Sequence, residues 1–415
     1  MPEESTTAND ANLNALVDHE KGIVSASIFV EHEIYKQEMQ QIFGRCWLYL
    51  AHESQVAKAG DFTLARMGED ALIVCRGPGG ALHAFLNMCP SCSSLMQRAD
   101  SGNVSVFTCQ YHGWDFNLDG QVLVEDEAGN KIGVNDLTMI EVPQVDSYKG
   151  MLFATFDQEA APLSEYLGDI RWGLDLLLEQ GDMRVASVTR WSVETNWKFA
   201  AESSVNDIFH GHVHMAALHA DRSVDMDREL SFERDGFTII TEFGHGLNAE
   251  KMDDALEDPE DLLQQWRQDP SKQRRLGQFR MGVARSVITL FPNAMISPST
   301  RELHMWHPRS INETEVWMIT FRDENEPPEV ARAFRKVTQL RHGPAGLYSQ
   351  DEGENWEGAT KGAHGVVTSQ RPLNYQMGLG RGEIIEDEQS PPRIETLLNE
   401  HRQLWFYRNW ATAIA

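Results

Sequence analysis

The 415-residue sequence lacks long apolar runs and is poor in basic residues. Both features limit the classes of protein to which it can belong. No window approaches the ~18 consecutive apolar residues of a transmembrane helix. The chain carries 36 basic and 63 acidic residues, a formal charge of −27. Such a charge disfavours nucleic acid and anionic membranes as partners. Residues 1–22 show neither the basic nor the apolar part of a secretory signal, so we expect a cytoplasmic protein.

Cysteine is scarce as well, with five residues in the whole chain. An odd number without an export signal argues against a disulfide framework and for a reducing compartment. Two of the five lie in apolar runs typical of a core. Cys89, Cys92 and Cys109 lie close together and need a separate explanation. The composition, 41% hydrophobic and 24% charged, excludes a mainly disordered or collagenous chain.

The pattern of apolar residues changes along the chain and predicts an α+β fold. Residues 1–22 are predicted to form a flexible acidic arm, and helical spacing follows from Ile28 to Leu48. Six short apolar runs separated by turn residues, between Asp61 and Phe156, predict a small antiparallel β domain. Beyond Phe156, helical and strand-like stretches are mixed, which predicts an antiparallel sheet with helices packed on it.

A first constellation of metal-binding residue types lies in the β-rich part. Cys109 and His112, three apart on a tight turn, are predicted to point at one place, and Cys89 adds a thiol from a second loop. Thiolates hold iron–sulfur clusters, so a cluster site is one interpretation. The alternative is buried free cysteines beside a hydrogen-bonded histidine. The aromatic residues around His112 and the 20-residue spacing from Cys89 favour the cluster.

A second constellation lies farther along the chain. On a helix, His210 and His214 share one face, and Asp207 lies on that face too. Neutral imidazoles suit a divalent iron or zinc ion, and a carboxylate commonly orients one of them. The alternative is a solvated histidine-rich helix. Four histidines within ten residues favour the metal, namely His210, His212, His214 and His219.

These segments resemble the large (α) subunits of Rieske non-haem iron aromatic-ring-hydroxylating oxygenases of the biphenyl and toluene dioxygenase type. The resemblance rests on the residues around Cys109, on Asn196-Trp197-Lys198 and on the segment 371–381, and it extends from Ile34 to the C-terminus. It implies a Rieske-type [2Fe–2S] domain at 45–155. That domain would be inserted in a helix-and-antiparallel-sheet, helix-grip-like catalytic domain of residues 23–44 and 156–415.

The resemblance also implies ligands for the cluster. Cys89 and Cys109 would bind one iron and His112 the other. The family's remaining histidine falls on Ser91, whose neutral hydroxyl is a poor iron ligand. Cys92 is a candidate substitute, which would give three thiolates and one imidazole. If Cys92 is not a ligand, the remaining alternatives are a cluster altered in another way and no cluster at all.

For the mononuclear Fe(II), the resemblance implies His210 and His214 as ligands, with His212 and His219 as less favoured alternatives. The third ligand falls on Glu352, where the family usually carries Asp. Asp351 and Glu354 are the alternatives. Asp207 would be a carboxylate bridging the two metal sites. The predicted pocket lining, by position beside the ligands, is Ser204, Phe209, Met215, Leu347 and Tyr348.

The activity implied is cis-dihydroxylation of an aromatic compound with O₂ and electrons from a ferredoxin or flavin reductase. The implied assembly is a homotrimer, with or without a β subunit. Electrons would pass from His112 of one chain through Asp207 to His210 of its neighbour. Two rival hypotheses stay open. One is a degenerate α-like subunit without a working cluster, serving assembly or regulation. The other is a zinc hydrolase built on the His-His-acid triad.

Overall fold

The computed structural model describes residues 16–123, 137–203, 209–221, 225–254, 256–258 and 260–415. These residues divide into two compact units, one of residues 43–165 and one formed by the chain on either side of it. Within the described ranges, no helix combines the length and the apolar character needed to cross a membrane.

The N-terminal part of the second unit begins with two short strands. Its elements are strands β1 (Val17–Asp18) and β2 (Ile23–Ser25), a 3₁₀ turn (Ala26–Phe29), helix α1 (His32–Gln37) and a π turn (Glu38–Ile42). Val17 pairs with Val24 across the hairpin, and both side chains are buried. The predicted flexible arm therefore extends too far, because burial of this apolar pair holds its last residues in a strand. Residues 1–15 lie outside the described ranges.

The unit of residues 43–165 is built almost entirely of short strands. Its elements are β3 (Leu48–His52), a 3₁₀ turn (Glu53–Val56), β4 (Asp61–Met67), β5 (Asp70–Arg76), β6 (Leu82–Leu86), β7 (Ser101–Asn103), β8 (Phe107–Thr108), β9 (Asp115–Phe116), β10 (Gln144–Tyr148), β11 (Met151–Thr155) and helix α2 (Leu163–Leu167). They form antiparallel sheets in the orders β6-β5-β4-β7, β10-β11-β3 and β8-β9. The predicted antiparallel β domain is confirmed. The chain is already a strand at Leu48, so the helical stretch ends earlier than expected.

The remaining chain forms an antiparallel sheet with helices on it, as predicted. The strands of this part are β12 (Met183–Val193), β13 (Gly236–Ile240), β14 (Gly246–Lys251), β15 (Val283–Leu290), β16 (Ala294–Ser297), β17 (Glu302–Ser310), β18 (Glu313–Asp323), β19 (Pro372–Asn374), β20 (Ile384–Ile385) and β21 (Arg393–Ile394). All but β19 belong to this sheet; β19 pairs with β2 in a three-stranded sheet of the order β1-β2-β19. The helices of this part are α3 (Arg171–Leu178), α4 (Trp197–Ser203), α5 (Met215–Ala220), α6 (Met226–Glu229), α7 (Pro270–Met281), α8 (Pro328–His342), α9 (Leu347–Ala363) and α10 (His401–Ile414). Short 3₁₀ turns lie at His210–His214, Glu242–Gly244, Gln265–Gln268 and Thr368–Gln370, and another, Gly168–Ile170, precedes α3.

The large sheet has the strand order β12-β18-β17-β16-β15-β14-β13-β21-β20. Gly173 of α3 packs so closely on Leu247 and Ile288 that an added Cβ would lie 3.0 Å from Leu247. The opposite face of the same strands meets α10, where Arg402 donates to the Thr289 hydroxyl and to a strand carbonyl. The sheet is therefore covered on both faces, and the face turned to α10 carries polar side chains.

Candidate metal centres

Two turns in the β-rich unit share one backbone design, Cys89–Ser94 and Cys109–Trp114. In each, the N–H of the first residue donates to the carbonyl of the sixth at 2.8 Å. The N–H of the fifth residue donates back to the first carbonyl, at 2.9 and 2.8 Å respectively. That fifth residue has a left-handed backbone in both turns, Ser93 at φ 59 and Gly113 at φ 72. The first residue of each turn, Cys89 or Cys109, therefore holds its thiol on the same local backbone conformation.

The turns bring three thiols together. The sulfur atoms of Cys89, Cys92 and Cys109 lie within 4.8 Å of one another, and those of Cys92 and Cys109 are 3.6 Å apart. Cys92 is the fourth residue of its turn, the position that His112 holds in the other turn. His112 is exposed, with its ring centroid 4.7 Å from that of Tyr111. Ser91 is exposed too.

The backbone of the second turn favours a thiolate. Burial alone would raise the pKa of Cys109, but the N–H groups of His112 and Tyr111, with the neighbouring thiols, lower it overall. The N–H of Ser94 acts in the same sense on Cys92, yet burial and the two neighbouring thiols raise the pKa of Cys92 overall. The thiolate is the form that binds metal, and Cys109 is the better prepared of the two.

A [2Fe–2S] cluster takes four protein ligands, drawn from thiolates and imidazoles. The structure brings three of them together, the thiols of Cys89, Cys92 and Cys109. The predicted fourth ligand, His112, is on the second turn but is not among these converging donors. The convergence of Cys92 with the other thiols makes it the residue that fits the gap left by Ser91.

The second group lies on a 3₁₀ turn and a helix. His210 and His214 are at the two ends of the 3₁₀ turn, where the sequence predicted regular helix, and Glu352 belongs to α9. The Nε2 atom of His210 is 2.5 Å from Glu352 Oε1 and 3.2 Å from the Nε2 atom of His214. The same carboxylate oxygen is 3.3 Å from His214 Nε2. Two imidazoles and one carboxylate therefore surround a single point and could hold an iron ion.

The other predicted ligands lie elsewhere. His212 and His219 are exposed; His219 contacts the carbonyl of Met215, and His212 packs near Phe232. Glu354 is exposed on α9. Asp207 and Ser204 lie outside the described residues. The ring centroid of Tyr348 lies 4.8 Å from that of His214. The other predicted lining residues among those described are Phe209, Met215 and Leu347.

Two side chains support the triad, and sequence reasoning did not give them this role. Asp351 Oδ2 is 3.2 Å from the Nδ1 atom of His214, which leaves the Nε2 atom of that ring facing Glu352. Ser203 receives a hydrogen bond from the Trp356 indole at 2.6 Å, and its own hydroxyl lies 3.5 Å from Glu352 Oε2. The signal that could have found Asp351 is its position, adjacent to a predicted ligand on the same helix.

The charge of Glu352 is set by the two histidines. Burial would raise the pKa of this carboxyl, but His210 and His214 outweigh that effect and hold the pKa well below its ordinary value. An ionised carboxylate beside two imidazoles is the donor set that divalent iron takes in facial-triad sites.

A buried ion pair anchors α4, the helix that precedes this site. Lys198 donates to Glu38 at 2.6 Å, and the indoles of Trp197 and Trp410 donate to the same carboxylate at 2.9 and 2.8 Å. All four side chains are fully buried. Desolvation lowers the pKa of Lys198, against the opposing effect of Glu38. The Asn-Trp-Lys motif therefore supports the fold around the site, while the metal donors come from other residues.

Comparison with known proteins shows the family of each unit. Residues 174–414 match the family described as "Ring hydroxylating alpha subunit (catalytic domain)", and residues 46–144 match the Rieske [2Fe–2S] domain family. This chain belongs to the ring-hydroxylating α-subunit family. Its β-rich unit accordingly contains a Rieske domain, and the predicted fold class is confirmed.

The ring-hydroxylating relatives match nearly the whole chain. The biphenyl dioxygenase α subunit of Paraburkholderia xenovorans (strain LB400) is 32% identical, over 96% of this chain and 92% of the relative. The benzene 1,2-dioxygenase α subunit of Pseudomonas putida is 30% identical, over 97% and 93%. The structure of naphthalene 1,2-dioxygenase from Rhodococcus sp. bound to indole matches with a TM-score of 0.86 and 28% identity, over 98% of both chains.

Proposed function

We propose that this chain is the α subunit of an aromatic-ring-hydroxylating dioxygenase, which uses O₂ to cis-dihydroxylate an aromatic compound. The observation that carries the proposal is the convergence of His210, His214 and Glu352 in a chain of this family. The retained triad favours this function over that of a degenerate subunit, and the Rieske domain disfavours a zinc hydrolase.

We propose that the triad holds Fe(II). When bound, the metal supplies the open coordination positions at which O₂ is activated beside the substrate. Asp351 fixes the His214 ring so that Nε2 faces the metal position, and the Ser203 hydroxyl holds the second oxygen of Glu352. Glu352 is longer than the usual Asp, and the contact of its Oε2 atom with Ser203 favours one orientation of the longer side chain.

In the Rieske domain, we propose that Cys89, Cys92, Cys109 and His112 hold the [2Fe–2S] cluster. A thiolate from Cys92 is anionic where an imidazole is neutral. Replacing histidine with cysteine in this way lowers the reduction potential of the centre. The electron donor to this subunit would therefore need to be more reducing than one that serves a two-histidine centre.

The partners follow from the same proposal. A ferredoxin or flavin reductase would supply electrons, and the chain would form a homotrimer, with or without a β subunit. The name of a 30% identical relative from Ralstonia sp., the large oxygenase component of a naphthalene 1,2-dioxygenase system, supports a multicomponent enzyme. Asp207 would bridge His112 of one chain and His210 of the next. The cytoplasmic location and the domain limits, 45–155 with 23–44 and 156–415 around it, stay predictions.

Metal analysis followed by turnover tests the proposal. Purified protein should contain more iron than acid-labile sulfide, because the mononuclear site adds iron without sulfide. With a reduced ferredoxin, ¹⁸O₂ and an arene, the diol product should carry two labelled oxygen atoms. His210→Ala is the matched inactive control. Iron without sulfide, together with no product from any arene, would instead establish a subunit without a working cluster.

A further inference from the structure

Tyr348 places an aromatic ring beside two of the three donors of the triad. Its ring centroid is 4.8 Å from that of His214, and the two ring planes are inclined by 36°. Tyr348 also lies in the first turn of α9, four residues before Glu352. Residues four apart share one face of a helix, so Tyr348 and Glu352 are neighbours on the face that carries the carboxylate donor.

The packing of Tyr348 keeps its ring close to these donors. On the side away from His214, its ring centroid is 5.5 Å from that of His342, and the Arg341 guanidinium is 6.0 Å from it. Arg341 is itself held by Asp221 at 2.8 Å. The side chain of Tyr348 is half-buried. A phenol ring is therefore held at the triad, although it has no part in binding the metal.

The proposed reaction at this triad adds oxygen to aromatic rings, and a phenol ring is open to the same chemistry. Its hydroxyl raises the electron density on the adjacent ring carbons, which are the carbons that an oxygen electrophile attacks. A reacting group fixed beside the reaction centre also has a high effective concentration, because no binding step is needed. In the absence of an arene, the ring of Tyr348 is thus in a position to react in its place.

We propose that Tyr348 is a site of self-hydroxylation, where the α subunit converts its own phenol side chain to a catechol when no arene is bound. The step consumes one O₂, two protons and two electrons from the ferredoxin. One oxygen atom forms a C–O bond at a ring carbon adjacent to the hydroxyl-bearing carbon, and the C–H bond at that carbon breaks. The other oxygen atom leaves as water. The inference rests on the proposed function, which supplies both the O₂ and the electrons.

Mass spectrometry of the iron-loaded protein tests the modification itself. The protein is incubated with reduced ferredoxin, ¹⁸O₂ and catalase, without an arene. Trypsin should then release residues 342–361 with one added ¹⁸O atom. Fragment ions should locate this atom on Tyr348, and its location on Trp356 of the same peptide would overturn the inference.

Two variants and a second tyrosine serve as controls. His210→Ala, which loses a metal donor, should show no added oxygen, and Tyr348→Leu should lose the label from this peptide. Tyr111 is 75% exposed and reports oxidants that diffuse through the solution. It should stay unlabelled. Equal labelling of Tyr111 and Tyr348 would show a diffusing oxidant and would overturn the inference.

A measurement without turnover tests the position of the ring. The tyrosines are replaced biosynthetically by ring-fluorinated tyrosine, and paramagnetic cobalt(II) is loaded in place of iron. The fluorine signal that Tyr348→Phe removes should shift on cobalt loading, and it should stay unshifted in His210→Ala. An unshifted Tyr348 signal in the loaded parent would show that the ring is far from the metal and would overturn the inference.

The outcomes also separate the inference from the proposed function. Labelled Tyr348 without a diol from any arene supports the inference and contradicts the dihydroxylation of a free arene. A labelled diol together with unlabelled Tyr348 overturns the inference and leaves the proposed function in place. Absence of both products, with iron bound at the triad, contradicts both.

Discussion

The two metal-donor groups of this α subunit are held in place in different ways. In the β-rich unit, main-chain hydrogen bonds define the turns at Cys89–Ser94 and Cys109–Trp114, and the surrounding core is mainly apolar. In the other unit, side chains such as Asp351 and Ser203 hold the triad. A turn defined by its backbone can exchange one donor side chain for another and keep its shape. A site defined by side chains depends on each supporting residue.

The interior of the second unit shows the same reliance on side chains. It contains several buried or nearly buried ion pairs, namely Glu38–Lys198, Glu302–His342, Arg301–Glu326 and Lys272–Asp323. Removing one partner of such a pair leaves a buried charge uncompensated, which typically costs about 3–5 kcal/mol. We therefore expect that substitution of one partner of such a pair lowers the free energy of unfolding of the whole unit.

The largest expected effect is at the triad itself. His210→Ala or His214→Ala should abolish binding of the mononuclear iron and leave the cluster absorbance unchanged. Asp351→Asn should lower iron affinity ~10–100-fold, because the His214 ring loses its orienting carboxylate. The iron content of each variant, measured at increasing chelator concentration, tests both the loss of iron and the lower iron affinity. Glu354→Gln, exposed on the same helix, is the control, and full iron content in both alanine variants would refute the triad.

The group of three cysteines gives the next test. A substitution there should remove the metal site and leave the fold unchanged. Cys92→Ala should lose the cluster absorbance, and adding Ser91→His should restore it at a higher potential, since imidazole is neutral. That potential should also depend more strongly on pH, because two cluster-bound imidazoles instead of one can then lose a second proton. Circular dichroism should stay unchanged, and Cys46→Ala is the control. An EPR spectrum of the parent with two-histidine Rieske character would show that Cys92 is not a ligand.

The buried anchor of α4 should show a large effect on stability. Lys198→Met should lower the free energy of unfolding by about 3–5 kcal/mol, because Glu38 is left as an unpaired buried charge. Adding Glu38→Gln should recover much of the loss. Urea unfolding of the metal-free protein measures both. The exposed pair Lys361–Glu357 provides the control, since Lys361→Met should change stability by less than about 1 kcal/mol. Equal losses in the single and double variants would contradict the charge argument.

A smaller effect should appear as a dependence of stability on pH. His245 is buried; its Nδ1 atom accepts from the Phe291 N–H, Nε2 faces the Tyr166 carbonyl at 3.0 Å, and burial lowers its pKa to about 4. The unfolded chain binds this proton near pH 6.5, so the stabilisation is fully present above that pH. It is lost as the pH falls towards 4 and amounts to about 3 kcal/mol. His245→Gln should flatten the slope of unfolding free energy against pH in this window. An unchanged slope would show that other groups cause the pH dependence.

Much of this arrangement could be predicted from local sequence. The alternating runs between residues 61 and 156 predicted the β domain, and the spacing of Cys109 and His112 predicted a turn. The position of Asp351 beside a predicted ligand pointed to the site, but its contact with Nδ1 of His214 could not be predicted, because it depends on which nitrogen of that ring faces α9. The pairing of Glu302 with His342 was also missed, because it joins a strand to the end of a helix 40 residues later. Such contacts are set by packing, and sequence spacing does not record them.

The ion pair beneath α4 also has a consequence for biosynthesis. Glu38 is made long before the last helix, and its bond from Trp410 spans 372 residues. Tyr407, on the same last helix, donates to Glu202 of α4. Domains generally fold as units, and this unit takes segments from both sides of the β-rich unit. The support of α4 is therefore complete only once the segments that carry Glu38, Glu202 and Trp410 have all been made, and we expect iron to enter the triad after that point.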